Sequence, residues 1–152
     1  METYIGGMKD LINQGLGTST PNSLQVQIAR ERTITTLRRL DAQRNGVVLR
    51  FLQGAHLIGG QDAVINLRAA DLSYDDLGNA RLSGTDLRNA NLSHANLTGA
   101  NLTGAIMNDA DLTSADLSGA TLTAASLSDA SLTSMIHPGD LAAVGALSAG
   151  VV

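Results

Sequence analysis

From Ala70 to Ser134 the chain is written in a five-residue period without an insertion. Thirteen consecutive pentads carry at their third position Leu72, Leu77, Leu82, Leu87, Leu92, Leu97, Leu102, Met107, Leu112, Leu117, Leu122, Leu127 and Leu132. Two places earlier the residue is Ala in eleven of the thirteen, the exceptions being Asp75 and Thr85. The position between is mostly Asp or Asn, and the one after Leu is mostly Ser or Thr. A period of five fits neither common element run straight. On an α-helix five residues advance a side chain by about 500°, which scatters the Leu around the cylinder. On a flat strand an odd period throws successive Leu onto opposite faces. What buries them all is a chain that turns once per pentad in the same sense, with the Ala and Leu positions inward and the other three facing water.

Such a coil cannot be stable one pentad at a time. Burying a Leu contributes about 1.5–3 kcal/mol, whereas ordering five residues costs about 5–10 kcal/mol of backbone entropy. Stacking of coils must supply the difference, so both ends of the stack need covers. Composition agrees. Only 2% of the 152 residues are aromatic although 43% are apolar, so Leu, Ala, Val and Ile must fill the interior.

The run ANLSHANLTGANLTGA, from Ala90 to Ala105, resembles the pentapeptide-repeat family, whose unit is written A(D/N)LXX. The resemblance implies a mainly β fold: a right-handed quadrilateral parallel β-helix with four pentads per twenty-residue coil. About four coils are expected, a rod on the order of 20 Å tall at ~4.8 Å per layer. Weaker repeats hold the register earlier, at Ala55 with Leu57 and at Ile65 with Leu67; Asp62, beside Gly59 and Gly60, takes a Leu position and predicts a bulge in the first coil. The stretch ARERTITTLRRLDAQRNGVVLRFLQGAHLI, from Ala29 to Ile58, is similar to the segment that precedes the repeats in many cyanobacterial members. In relatives of that type a membrane segment can lie upstream, so membrane attachment stays open.

Three regions follow: a helical N-terminal region and cap over 1–54, the β-helix over 55–134, and a C-terminal cap or tail over 135–152. Tyr4, Ile5, Met8, Leu11 and Ile12 fall at helical spacing, with Gly15 placed to stop the helix. Thr20 before Pro21 predicts the cap of a second helix, with an apolar stripe of Leu24, Ile28, Ile34, Leu37 and Leu40. Asp41 can cap a third, bearing Val47, Val48, Phe51 and Leu52 and ended by Gly54, which is the expected N-terminal cover. The Ala/Gly/Val-rich tail reads as a bottom cover or as a homodimer contact at the rod end.

Composition removes several function classes. The chain has no Cys, hence no disulfide framework, thiolate metal site or cysteine nucleophile. No apolar run approaches the ~20 residues of a membrane helix, and a cytoplasmic location is expected, with the face of a membrane as the alternative if an anchor lies upstream. No cofactor is implied: there is no GxGxxG and no GK[ST]. His56, His94 and His137 share no ligand spacing; Tyr74 and His94, twenty apart, should form a surface pair. The sequons at Asn91, Asn96 and Asn101 are products of the repeat grammar. Asp75 points inward where Ala belongs, and its plainer reading is a carboxylate bonded to turn amides. No catalytic residue is assigned.

The charge is uneven. Residues 1–54 hold seven Lys or Arg against four Asp or Glu, and 55–134 hold three against nine. Some members of the resembled family mimic duplex DNA and occupy or protect a type II topoisomerase. Here Asp71 and Asp111 would stack on one face and Asp76 and Asp116 on the next, forming an acidic edge, but Asn91 and Asn96 interrupt both columns. The preferred expectation is a non-enzymatic structural or protein-interaction module with an unknown protein partner. Direct nucleic-acid binding is not expected. The face holding Ser83, Gly84, Thr103, Gly104, Thr123 and Ala124 suits docking, and the basic helices suit attachment or peripheral membrane association.

Overall fold

The computed structural model describes residues 1–20, 22–60 and 63–133. Three helices lead: α1 (Glu2–Asn13), α2 (Leu24–Leu37) and α3 (Ala42–Gly54), with a 3-10 turn at Leu16–Thr18. Helix α1 ends as its sequence requires, because Gly15 takes φ +91°, where a side chain would be strained. It is tied to α2 by Tyr4, whose hydroxyl lies 2.8 Å from Thr33 Oγ1. The Thr33 hydroxyl hydrogen already goes to the Ala29 carbonyl, so Tyr4 is the donor. Burial pushes the Tyr4 phenol up to about 12.

Two expectations for the helices change. The cap of α2 is Ser23, whose Oγ accepts from Val26 N at 3.3 Å, three residues beyond Thr20; a neighbouring proline favours Thr20, but the serine is the better placed hydroxyl. The buried side of α2 is Val26, Ala29, Thr33 and Leu37, while Leu24 is 71% exposed. Leu37 is common to the expected stripe and the buried side, and Ile28, Ile34 and Leu40 are half-buried against the core, so Leu24 alone of the expected five falls outside. Asp41 does cap α3, accepting from Arg44 N at 3.0 Å. That helix ends at Gly54, as expected. The turn comes two residues later, at His56 with φ +55°, and Leu57 N closes back on Leu52 O at 2.9 Å.

Beyond Ile65 the backbone coils. Parallel bridges join residues twenty apart: Asp71 to Asn91 to Asp111 to Ser131, Asp76 to Asn96 to Asp116, Arg81 to Asn101 to Thr121, and Asp86 to Ile106 to Ser126. Four pentads therefore complete one turn, and these columns define faces one to four in that order. The corner is made at each fifth position. From Ala69 to Asp129 every such residue is left-handed, with φ between 54° and 67°, whether Gly, Asn, Asp, Ser, His, Tyr or Ala. A left-handed non-glycine residue costs about 1–2 kcal/mol, so the corners are held by what they connect.

Hydrogen bonding explains the rest of the unit. In the pentad from Ala90, Asn91 N reaches Ala70 O one coil away and Leu92 N reaches Asp111 O in the other direction. His94 N reaches Thr113 O, and the next pentad begins with Ala95 N on Leu92 O. Only the fourth amide lacks a backbone acceptor, and Ser93 N finds Asn91 Oδ1 at 3.1 Å. The same side-chain turn recurs from Asp71, Asp76, Asp86, Asn96, Asn101, Asp111 and Asp116. Asp or Asn at the second position therefore serves backbone satisfaction and not solubility alone.

The interior is filled as the period dictates, with Leu92, Leu97, Leu102, Met107 and Leu112 all at 0% exposure and Ala lining the corners. Among the described residues, however, the array contains isolated bridges and no longer strand, which corrects the expectation of a mainly β chain. A left-handed residue in every pentad stops any extended run, leaving the helices as the regular elements. No helix among the described residues is long and apolar enough to cross a membrane. Asp62 and the expected C-terminal cover or dimer contact over 135–152 lie outside the described residues.

Candidate interaction surface

The four aspartates of the expected acidic edge fall where the register puts them, Asp71 and Asp111 on face one and Asp76 and Asp116 on face two. Each is engaged in its own pentad: Ser73 N, Gly78 N, Thr113 N and Ser118 N bond Asp71, Asp76, Asp111 and Asp116. The side-chain and backbone hydrogen bonds of Thr113 outweigh partial burial and, with the His94 charge, hold the Asp111 carboxyl below its usual range. The interleaved asparagines bond within the columns. Asn91 Nδ2 donates to Asp71 Oδ1 at 3.3 Å and Asn96 Nδ2 to Asp76 Oδ1 at 2.9 Å. Carboxylates stacked on successive coils would repel, and the amide between them removes that repulsion.

This arrangement weakens the case for DNA mimicry. Residues 65–133 hold eight Asp and three Arg, net −5, along about 17 Å at ~4.8 Å per coil. Duplex DNA carries about ten charges over that length, twice as many.

Asp75 is the exception inside. It is 0% exposed, and its partner is the side chain of Asn45 on α3, with Nδ2 to Oδ1 at 3.3 Å, rather than turn amides. Burial pushes its carboxyl up to about 7; the Asn45 bond opposes this, and the Asp71 and Asp41 charges add to it. Asp75 Oδ2 and Asn45 Oδ1 are both buried without a partner. A proton on Asp75 Oδ2 turns one of these two acceptors into a donor. Sequence reading missed Asn45. Its signal was a polar residue on the same helix face as Leu49 and Leu52, which mirrors the misfit at Asp75. The pair seats α3 on the first coil, where Gly46 comes close enough that a Cβ would lie 3.7 Å from Asp76 O. The second misfit, Thr85, is also buried, with Oγ1 unpartnered.

Face three carries the small side chains expected of a docking surface. Ser83, Gly84, Thr103 and Gly104 line a groove of about 810 Å³, closed on one side by Gly60, Ala63 and Arg30. The face is therefore bordered by a groove where it meets the helical region, rather than uniformly flat. Gly59 makes the close approach possible: a Cβ there would lie 2.5 Å from Arg81 O, and Gly60 N bonds Ser83 O. On face one, Tyr74 and His94 stack at 4.6 Å between ring centroids and 8° between planes. No metal-ligating cluster occurs among the described residues, which include His56 and His94; His137 lies outside them.

What the surface offers is repeated geometry: four columns of side chains at fixed spacing on a backbone whose amides are paired internally. The family model for pentapeptide repeats matches in eight copies, over residues 65–104 and 105–134.

Residues 65–134 carry pentapeptide repeats.

Several solved pentapeptide-repeat proteins are similar to this array. HetL, involved in heterocyst differentiation regulation in the cyanobacterium Nostoc, is 38% identical over 43% of this chain and 35% of its own, with a TM-score of 0.27. A pentapeptide repeat protein from the Arabidopsis thaliana thylakoid lumen is 30% identical over 48% of this chain and 55% of its own, with a TM-score of 0.28. Rfr23 from the cyanobacterium Cyanothece is 36% identical over 43% of this chain and 52% of its own, with a TM-score of 0.27. The chain thus spans between 35% and 55% of the length of these structures. No curated protein matches it.

Proposed function

We propose that the chain is a non-enzymatic module that holds a protein partner on a rigid coil, with the helical region as a cap. The coil is read as the family's right-handed quadrilateral parallel β-helix of about four turns. The observation that carries the partner reading is face three: a column of Ser, Thr, Gly and Ala side chains beside a groove of about 810 Å³, interrupted by one charge, Arg81. Such a surface admits close approach of another backbone, and little desolvation opposes contact. The aspartate columns of faces one and two, by contrast, are occupied with their own turns.

The test is site-specific photo-crosslinking in the source cell. A photoreactive residue at Thr103 on face three should give one discrete adduct, and one at Thr98 on face two should not. Thr103→Glu should remove the adduct captured from a second face-three position, Thr123, without changing the circular dichroism spectrum. Equal labelling from both faces would refute the docking face.

A further inference from the structure

Helix α2 and the first coil enclose a second cleft, of about 560 Å³, into which Arg30, Arg38 and Arg68 open together with Asn66. Two of these arginines are fixed to the coil by backbone bonds. Arg30 Nε donates to Val64 O at 3.1 Å and Arg38 Nη2 to Ala69 O at 3.4 Å. Each bond uses one N–H and leaves the rest of the guanidinium fork available. Glu31 also lines the cleft, so three cations face one carboxylate. Among the described residues, none of the three arginines has a carboxylate within ion-pair distance.

The array contains its own comparison. Arg68 occupies the fourth position of a face-four pentad, and twenty residues on, Arg88 occupies the same position one coil below. Arg88 is neutralised within its pentad: its Nε and Nη2 bond Asp86 Oδ1 and Oδ2 at 2.9 and 2.7 Å. Burial works to raise the Asp86 carboxyl, but the Arg88 bonds and the charges of Arg88 and Arg68 hold it below its usual range. Both Asp86 oxygens are thus committed to Arg88. In the first coil the residue corresponding to Asp86 is Asn66. The resident acid is missing at the one level where Arg30 and Arg38 arrive from α2.

We propose that this cleft binds a phosphate-type oxyanion, held by Arg68, Arg38 and Arg30 with Asn66 as a further donor. Donors from two elements converge from different directions, which suits a tetrahedral, multiply charged group. Ile34 and Ala69 give the site an apolar wall against which charge is less screened than at open surface. The cleft shares Arg30 and Asn66 with the groove beside face three, whereas Arg38 and Arg68 line the cleft alone; pyrophosphate binding is read without any protein partner, so the two proposals fail separately. The phosphate can come from a soluble organophosphate or from a lipid headgroup, and the experiment separates the two.

Full-length protein is titrated with pyrophosphate by calorimetry at low salt, and sedimented with phosphatidylglycerol and with phosphatidylcholine vesicles. Pyrophosphate should bind, with affinity falling as salt rises. Arg68→Gln and Asn66→Asp should each weaken it at least tenfold. The second variant restores the Asp–Arg pair seen one coil below, so it retains the fold while neutralising Arg68. Arg81→Gln, the same charge change on face three, should leave affinity within twofold. Sedimentation with phosphatidylglycerol alone, lost in Asn66→Asp, assigns the headgroup as source; pyrophosphate binding without sedimentation assigns a soluble organophosphate. The proposal is overturned if pyrophosphate does not bind, if both cleft variants bind as wild type, if Arg81→Gln weakens binding equally, or if vesicles bind without pyrophosphate doing so.

Discussion

Replacing Asp75 by asparagine separates the cost of a buried charge from the packing of α3 on the coil. The Asp75 carboxyl is pushed from 3.8 to about 7 when folded. Between those values the folded protein holds a proton that the unfolded chain has released, so this group makes stability fall as pH rises from about 4 to about 7, with little further change above. At about 1.4 kcal/mol per unit, the shift sets a ceiling of about 4 kcal/mol on the loss. The side chain is 0% exposed, so solvent screening does not remove the effect. In Asp75→Asn the amide cannot ionise; it loses some geometry toward Asn45, a cost independent of pH. With a urea dependence of about 2 kcal/mol per molar, the difference in unfolding midpoint between variant and wild type should move by up to about 2 M in the variant's favour from pH 4.5 to pH 8. Urea titrations followed by circular dichroism at four pH values read this directly. Taking the difference cancels the other carboxylates, including Asp86 and Asp111, whose lowered values act in the opposite sense. Midpoints that stay parallel across the range would show that Asp75 is not a buried acid held by Asn45.

Two further outcomes test the array itself. Leu102→Ala, at a position with 0% exposure in the middle of the stack, should lower stability by about 2–5 kcal/mol; a loss below about 1 kcal/mol in denaturant titration would contradict the inward ladder. Gly59→Ala should be worse than Gly104→Ala in the same assay. Both are left-handed, at φ +72° and +66°, but only at Gly59 would a Cβ strike backbone, 2.5 Å from Arg81 O, whereas at Gly104 nothing lies within 4 Å. Equal losses would mean that the first coil relaxes freely.

The sequence by itself determined the coil. An uninterrupted five-residue period leaves one way to bury every Leu, and the bridges between residues twenty apart follow from repeating it. It also determined the Asp71, Asp76, Asp111 and Asp116 columns, although their work inside the Asx turns emerges only once the amide of each fourth residue is traced. Local rules misled at the start of α2, where Thr20 beside Pro21 looked a better cap than Ser23, because two hydroxyls could satisfy the same end and packing chose between them. Tertiary structure alone decided which departures from the repeat meet each other. Asp75 finds Asn45, thirty residues upstream; Arg38 reaches Ala69 across thirty-one; Gly59 lies against Arg81. A periodic sequence specifies contacts between its own copies, since each copy offers the next the same shape. Where the coil meets α2 and α3 no period is shared, and the partners are set by how two unlike surfaces fit.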